Sequence, residues 1–163
     1  MERRLIVMRH AQSEAGDAST PDHKRRLTER GRREAEEISE RLLELGWAPQ
    51  YVISSDATRT RQTWESMEST FGGGVTVDWD RALYLAGVDA VQRALSELPD
   101  EVTDVLALGH NPGWQRLISY FSGHRERMTT ANAGLLHGMG ESWKEAAISD
   151  NFELVQVLRP RSI

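Results

Sequence analysis

The sequence predicts an α/β fold, a three-layer αβα sandwich in which a mostly parallel β-sheet lies between two layers of helices. Three observations lead there. Short apolar runs such as Leu5-Ile6-Val7-Met8 and Tyr51-Val52-Ile53 read as buried strands. They alternate with longer amphipathic segments, the order expected of parallel strands joined by crossover helices. Three of the runs end in polar residues, Arg9-His10, Ser54-Ser55 and Gly109-His110-Asn111, as strands do where an open α/β sheet builds its ligand crevice. The 163 residues suit one domain spanning 1–163 with one substantial core.

In chain order, Leu5 to Met8 form the first strand, followed by a polar loop rich in Ser, Asp, Thr and Pro. From about Thr28 to Gly46, Ala35, Ile38, Leu42 and Leu45 recur at helical spacing among charges, giving an amphipathic helix that Gly46 ends. Tyr51 to Ile53 make a second strand, and the side-chain oxygens of Ser54-Ser55-Asp56 start a helix from about Ala57 to Ser69. After Gly72-Gly73-Gly74, Val75-Thr76-Val77 read as a short strand, Asp89 to Leu98 as a helix with Asp89 capping it, and Val102 to Leu108 as a strand. Pro112 opens a helix carrying Trp114, Leu117, Ile118 and Phe121. Two last strands, Ala133 to His137 and Phe152 to Leu158, flank a loop containing Trp143.

Composition narrows the chemistry. A hydrophobic share of 39% and a charged share of 28% are ordinary for a globular protein. No stretch approaches the roughly 18 consecutive apolar residues of a membrane span, and the first apolar run is too short for a signal-peptide core, so a cytoplasmic protein is expected. Without cysteine there is no disulfide, thiolate metal site or cysteine nucleophile. A net charge of −5 disfavours nucleic acid as a partner. Brought to one sheet edge, two histidines and two arginines suit phosphoryl transfer. That reaction needs an in-line nucleophile and fixed positive groups on the equatorial oxygens, and arginine's planar fork supplies the latter at any working pH.

Four motifs in order resemble the histidine phosphatase superfamily, most closely its small SixA-type branch of phosphohistidine phosphatases. The first is the strand followed by Arg9-His10-Ala11. The second is Asp22-His23-Lys24-Arg25-Arg26-Leu27-Thr28-Glu29-Arg30-Gly31, similar to the family's Asp-x-x-Arg-x-Leu-Thr-x-x-Gly. The third is Ser55-Asp56-Ala57-Thr58-Arg59-Thr60-Arg61-Gln62-Thr63, similar to Ser-x-x-x-Arg-x-x-Gln-Thr, and the fourth is the Gly109-His110-Asn111-Pro112-Gly113 turn. The resemblance implies a phosphoglycerate mutase-like fold and a transiently phosphorylated His10, with Arg9, Arg59 and His110 completing the phosphate pocket and no cofactor. To attack phosphorus His10 must be neutral, and two adjacent guanidiniums lower its pKa, whereas His110 serves better as a hydrogen-bond donor. The same arginines would repel a metal cation, so no metal is expected.

Two departures bear on substrate. Ala11 replaces the family's glycine and is tolerated if its φ stays negative. In Leu83-Tyr84-Leu85-Ala86-Gly87-Val88-Asp89, Leu85 stands where larger members of the superfamily carry a glutamate that protonates the leaving group. An alkoxide leaving group needs that proton, worth roughly 10²–10⁴-fold, whereas an imidazole departs readily from a P–N bond. The expected substrate is therefore phosphohistidine on a protein such as a histidine-phosphotransfer domain. Two alternatives remain open: a small phosphorylated metabolite held in an apolar pocket walled by Trp114 and Tyr84, and a non-catalytic phosphate-binding module. Gln12, Ser13, Arg25, Asn111 and Asp89 are candidate rim residues. Ser55 and Asp56 are read as helix-start hydrogen-bonders, His137 as structural or rim, and His23 and His124 as solvent-facing loop residues.

Overall fold

Along the first strand, β1 (Glu2–Arg9), Leu5 and Val7 pack into one apolar cluster while Ile6 and Met8 pack into another. Because successive side chains of a strand point to opposite faces, these clusters lie on the two sides of one sheet. Residues 1–161 are described by a computed structural model. Its remaining elements are α1 (Glu29–Glu44), β2 (Tyr51–Ser55), α2 (Thr58–Phe71), β3 (Thr76–Asp80), α3 (Val88–Ser96), β4 (Asp104–Gly109), α4 (Gly113–Ser122), β5 (Ala133–Met139), α5 (Trp143–Ala146) and β6 (Phe152–Leu158). Single 3-10 turns occupy Asp22–Lys24 and Arg81–Leu83.

The six strands run in the order β3-β2-β4-β1-β5-β6. β1, β2, β3 and β4 are mutually parallel, whereas β5 pairs antiparallel with β1 and β6 antiparallel with β5. Helices α1 and α2 supply Ala35, Ile38, Leu42, Trp64 and Met67 to one core; α3, α4 and α5 supply Val91, Leu95, Leu117, Phe121, Trp143 and Ala146 to the other. The three-layer α/β architecture is thus as the alternation of runs implies.

Several local expectations change. Trp143 lies on a one-turn helix, with Ser142 Oγ accepting from Glu145 N at 3.1 Å. Asp89 does not cap α3: the cap position is Gly87, and Asp89 sits exposed in the first turn, where a carboxylate suits the helix dipole. β3 runs on through Trp79 and Asp80, its register with β2 extending to Ser55↔Asp80. Trp114 is fully buried with Nε1 donating to the Ala107 carbonyl at 3.0 Å, so it belongs to the core and walls no pocket. Among the described residues no helix is long and apolar enough to cross a membrane.

Candidate active site

Because β1 and β4 are neighbours in register Arg9↔Gly109, the residues following each pair, His10 and His110, emerge side by side. The His10 amide donates to the Gly109 carbonyl at 3.0 Å, and the ring centroids lie 5.3 Å apart at 52°. β2, on the other side of β4, delivers Ser55, and the first turn of α2 behind it delivers Arg59. Three adjacent parallel strand ends therefore meet, and Arg9, His10, Arg59 and His110 come together as the sequence suggests.

The loop after His10 is held from α1 and α2. Ala11 is buried, its φ is not positive, and its amide donates to Thr63 Oγ1 at 3.0 Å, so its methyl group is accommodated. Gln62 Oε1 accepts from the Leu27 amide at 2.8 Å, which gives both the Gln and the Thr of the third motif a structural task. A Cβ on Gly31 would lie 2.2 Å from the Gln12 carbonyl oxygen, so glycine there lets the loop press against α1.

His10 is 5% exposed, and its Nδ1 lies 2.7 Å from the Ala11 carbonyl. A carbonyl only accepts, so Nδ1 carries the proton and neutral His10 keeps a lone pair on Nε2. Burial above all, then the charges of Arg59, Arg9 and Arg25, lowers its pKa to about 3 against the pull of the Ala11 bond. His110 is lowered to about 3 by burial first and Arg59 second. Desolvation thus outweighs the arginines that the sequence brings to attention.

Ser55 does more than open a helix. Its Oγ accepts from the Ala57 amide at 3.2 Å, leaving its own proton for His110 Nε2 at 2.8 Å. Neutral His110 in that tautomer holds its proton on Nδ1, which is buried without a hydrogen-bond partner among the described residues, as are Arg9 Nε and Arg59 Nε. A buried donor left unpaired costs roughly 1–3 kcal/mol. Three such donors on side chains gathered at one sheet edge suit an anion.

The arginines are themselves positioned. Arg9 Nη1 donates to the Met128 carbonyl at 3.1 Å, and Asn111 Nδ2 reaches the same oxygen at 2.7 Å. Arg59, 2% exposed, donates to the Asp22 carbonyl at 2.7 Å and to Asp22 Oδ2 at 3.1 Å. Asp22 also accepts from Arg25 Nε at 3.0 Å and from the Tyr84 hydroxyl. The Tyr84 bond foremost, then Arg59, holds the Asp22 carboxyl low, at about 2, against partial burial. Tyr84 sets its ring edge against His110 at 5.4 Å. Asp22 lies inside the second motif, but nothing in the spacing assigns it this task.

The remaining candidates divide. Arg25 is at the rim, with Nη1 on the Glu14 carbonyl at 3.1 Å. Gln12 turns to Thr28, whose hydroxyl donates to Gln12 Oε1 at 2.8 Å, and Ser13 forms a bridge with Leu27. No hydrogen bond among the described residues ties Asp89 to the four central side chains. Leu85 is 58% exposed with φ 55°. His137 pairs with Glu2 at 3.1 Å and His124 is exposed, as expected of both. His23 departs from expectation: it is half-buried, bonded through Nε2 to Asp56 Oδ1 at 2.7 Å and edge-on to Tyr84 at 4.8 Å. Among the described residues no three His, Cys, Asp or Glu side chains group as a metal site would require.

A parallel sheet edge presenting paired neutral histidines, a buried arginine and a half-buried one defines a phosphate-handling α/β protein. Residues 5–84 match the family model described as histidine phosphatase superfamily (branch 1). An uncharacterized chloroplastic protein of Arabidopsis thaliana is 38% identical over 156 residues, covering 90% of this chain and 71% of the relative. A solved structure bearing the name phosphohistidine phosphatase SixA, from Nakamurella multipartitia, superposes with a TM-score of 0.84 at 26% identity over 99% of this chain and 98% of that one. The histidine phosphatase SixA complexed with tungstate shares the fold, with a TM-score of 0.80 at 23% identity over 95% of this chain and 96% of that one. The chain belongs to the histidine phosphatase superfamily, and so to the phosphatases with a histidine nucleophile.

Proposed function

We propose that this protein, as one histidine phosphatase domain, hydrolyses phosphohistidine on a protein through a phosphorylated His10, without a metal or cofactor. The observation that carries this reading is His10 itself, neutral, with Nδ1–H committed to the Ala11 carbonyl and Nε2 left as the nucleophile. Nε2 attacks phosphorus, the P–N bond of the substrate breaks, and its electron pair leaves on the substrate imidazole. Arg9 Nε–H, Arg59 Nε–H and His110 Nδ1–H, which lack other partners among the described residues, meet the equatorial oxygens. Water then displaces His10 from phosphorus, releasing inorganic phosphate. Dividing the reaction between two transfers replaces one difficult step by two easier ones.

Substrate class follows from the missing acid. Leu85 offers no proton, and Asp89 has no hydrogen bond to the site, which supports a leaving group able to depart as imidazole. The buried position of Trp114 removes the apolar wall on which a small-metabolite pocket would depend. The likeness to the Nakamurella multipartitia structure that bears the name phosphohistidine phosphatase points the same way.

The test is phosphate release from a phosphohistidine-bearing histidine-phosphotransfer domain and from a panel of small monoesters, with wild type and His10→Ala. Faster P–N cleavage, abolished in the variant, is expected. Equal or faster monoester cleavage would overturn the substrate assignment, and stoichiometric phosphate binding without release would make the protein a binding module.

A further inference from the structure

We infer that His23, held by Asp56, is the general base for the second half of the reaction, taking a proton from the water that attacks phosphorylated His10. The inference rests on the His10 phosphoenzyme reading. Attack by water needs a group to receive its proton. Within the site the candidates are few. The Asp22 carboxylate already accepts from Tyr84, Arg59 and Arg25. His110 is engaged as a donor, and Leu85 and Asp89 offer nothing to the pocket.

His23 has the required parts. Asp56 Oδ1 accepts from its Nε2 at 2.7 Å, so the proton sits on Nε2 and the neutral ring keeps a lone pair on Nδ1. That nitrogen has no hydrogen-bond partner among the described residues. A base oriented by a carboxylate through its far nitrogen is the arrangement by which the histidine of a Ser-His-Asp triad activates its nucleophile. His23 follows Asp22, which holds Arg59, and four rings stand in succession: His23 to Tyr84 at 4.8 Å, Tyr84 to His110 at 5.4 Å, His110 to His10 at 5.3 Å. With 24% of its side chain exposed, His23 is open to water at the mouth of the pocket while Asp56 fixes its direction.

In the step proposed, the water oxygen bonds to phosphorus, the P–Nε2 bond breaks and its electron pair returns to His10. The water's proton passes to His23 Nδ1, giving an imidazolium paired with Asp56, and phosphate leaves; the proton then passes to solvent.

The experiment follows a ³²P-labelled substrate, whichever of the panel wild type turns over, in single-turnover mixing, with label counted on substrate, on enzyme and as free phosphate. His23→Asn should leave transfer to His10 within about twofold of wild type, slow phosphate release about 100-fold and accumulate labelled enzyme, since a general base typically contributes 10²–10⁴-fold. Asp56→Asn should do the same to a lesser degree, about tenfold. A merely structural pin would slow both steps together. Such a parallel loss, or release at the wild-type rate in both variants, overturns the inference. If phosphate is released but label never appears on His10 in wild type or variant, the phosphoenzyme reading itself falls.

Discussion

Neutral histidines at the bottom of the site make this protein sensitive to mild acid. His10 and His110 are both held to about 3, against about 6.5 in an unfolded chain. Below about 6.5 the unfolded chain takes up protons that the native site refuses, so stability is complete above that value and falls as pH drops toward 3. At pH 5 an unfolded imidazole is about 97% protonated while both native rings stay neutral, a loss of about 2 kcal/mol per histidine relative to pH 7 and about 4 kcal/mol for the pair. Ordinary carboxylates contribute little in that interval, and Asp22, depressed to about 2, loses its contribution only as pH falls below the usual carboxylate range. Urea unfolding at pH 7 and pH 5, followed by the fluorescence of the five tryptophans, measures the difference. His10→Gln should halve the loss. A wild-type loss below about 1 kcal/mol would refute the assignment of two buried neutral rings.

Other expectations follow from particular contacts. Arg59→Lys retains a charge but not the fork that reaches the Asp22 carbonyl and Asp22 Oδ2 together, so kcat/KM should fall about 10²–10³-fold; activity within tenfold of wild type would show that fork unnecessary. Trp114→Phe removes the indole bond to Ala107 and should cost about 1–2 kcal/mol in denaturant unfolding. It should leave the P–N to P–O preference unchanged, and a shifted preference would return Trp114 to the substrate pocket.

Pattern alone pointed to the layered α/β fold and to the strand ends that carry Arg9, His10 and His110, while Arg59 joined them as a phosphate-pocket candidate through the family resemblance. Strand-length apolar runs separated by helix-period segments admit few other architectures, and polar residues directly after such runs must surface at a strand end. The antiparallel β5 and β6 lay beyond that reasoning, since a strand's direction is set by pairing and not by its own residues. Nor could spacing show that Ser55 meets His110 or that Asp22 braces Arg59. Ser55 and His110 are 55 positions apart in the chain and Asp22 and Arg59 are 37 apart, meeting only when β2, β4 and β1 pair side by side. Trp114 and His23 exchange the places their chemistry suggests. The aromatic ring next to the Gly-His-Asn-Pro-Gly turn is buried because α4 folds back onto β4, where a Cβ on Gly109 would lie 2.3 Å from it. The loop histidine is drawn into the mouth because its turn packs against Asp56 and Tyr84. A residue's type limits what it can do; which neighbours desolvate or orient it is decided by distant segments, and at this site that is what keeps His10 and His110 neutral.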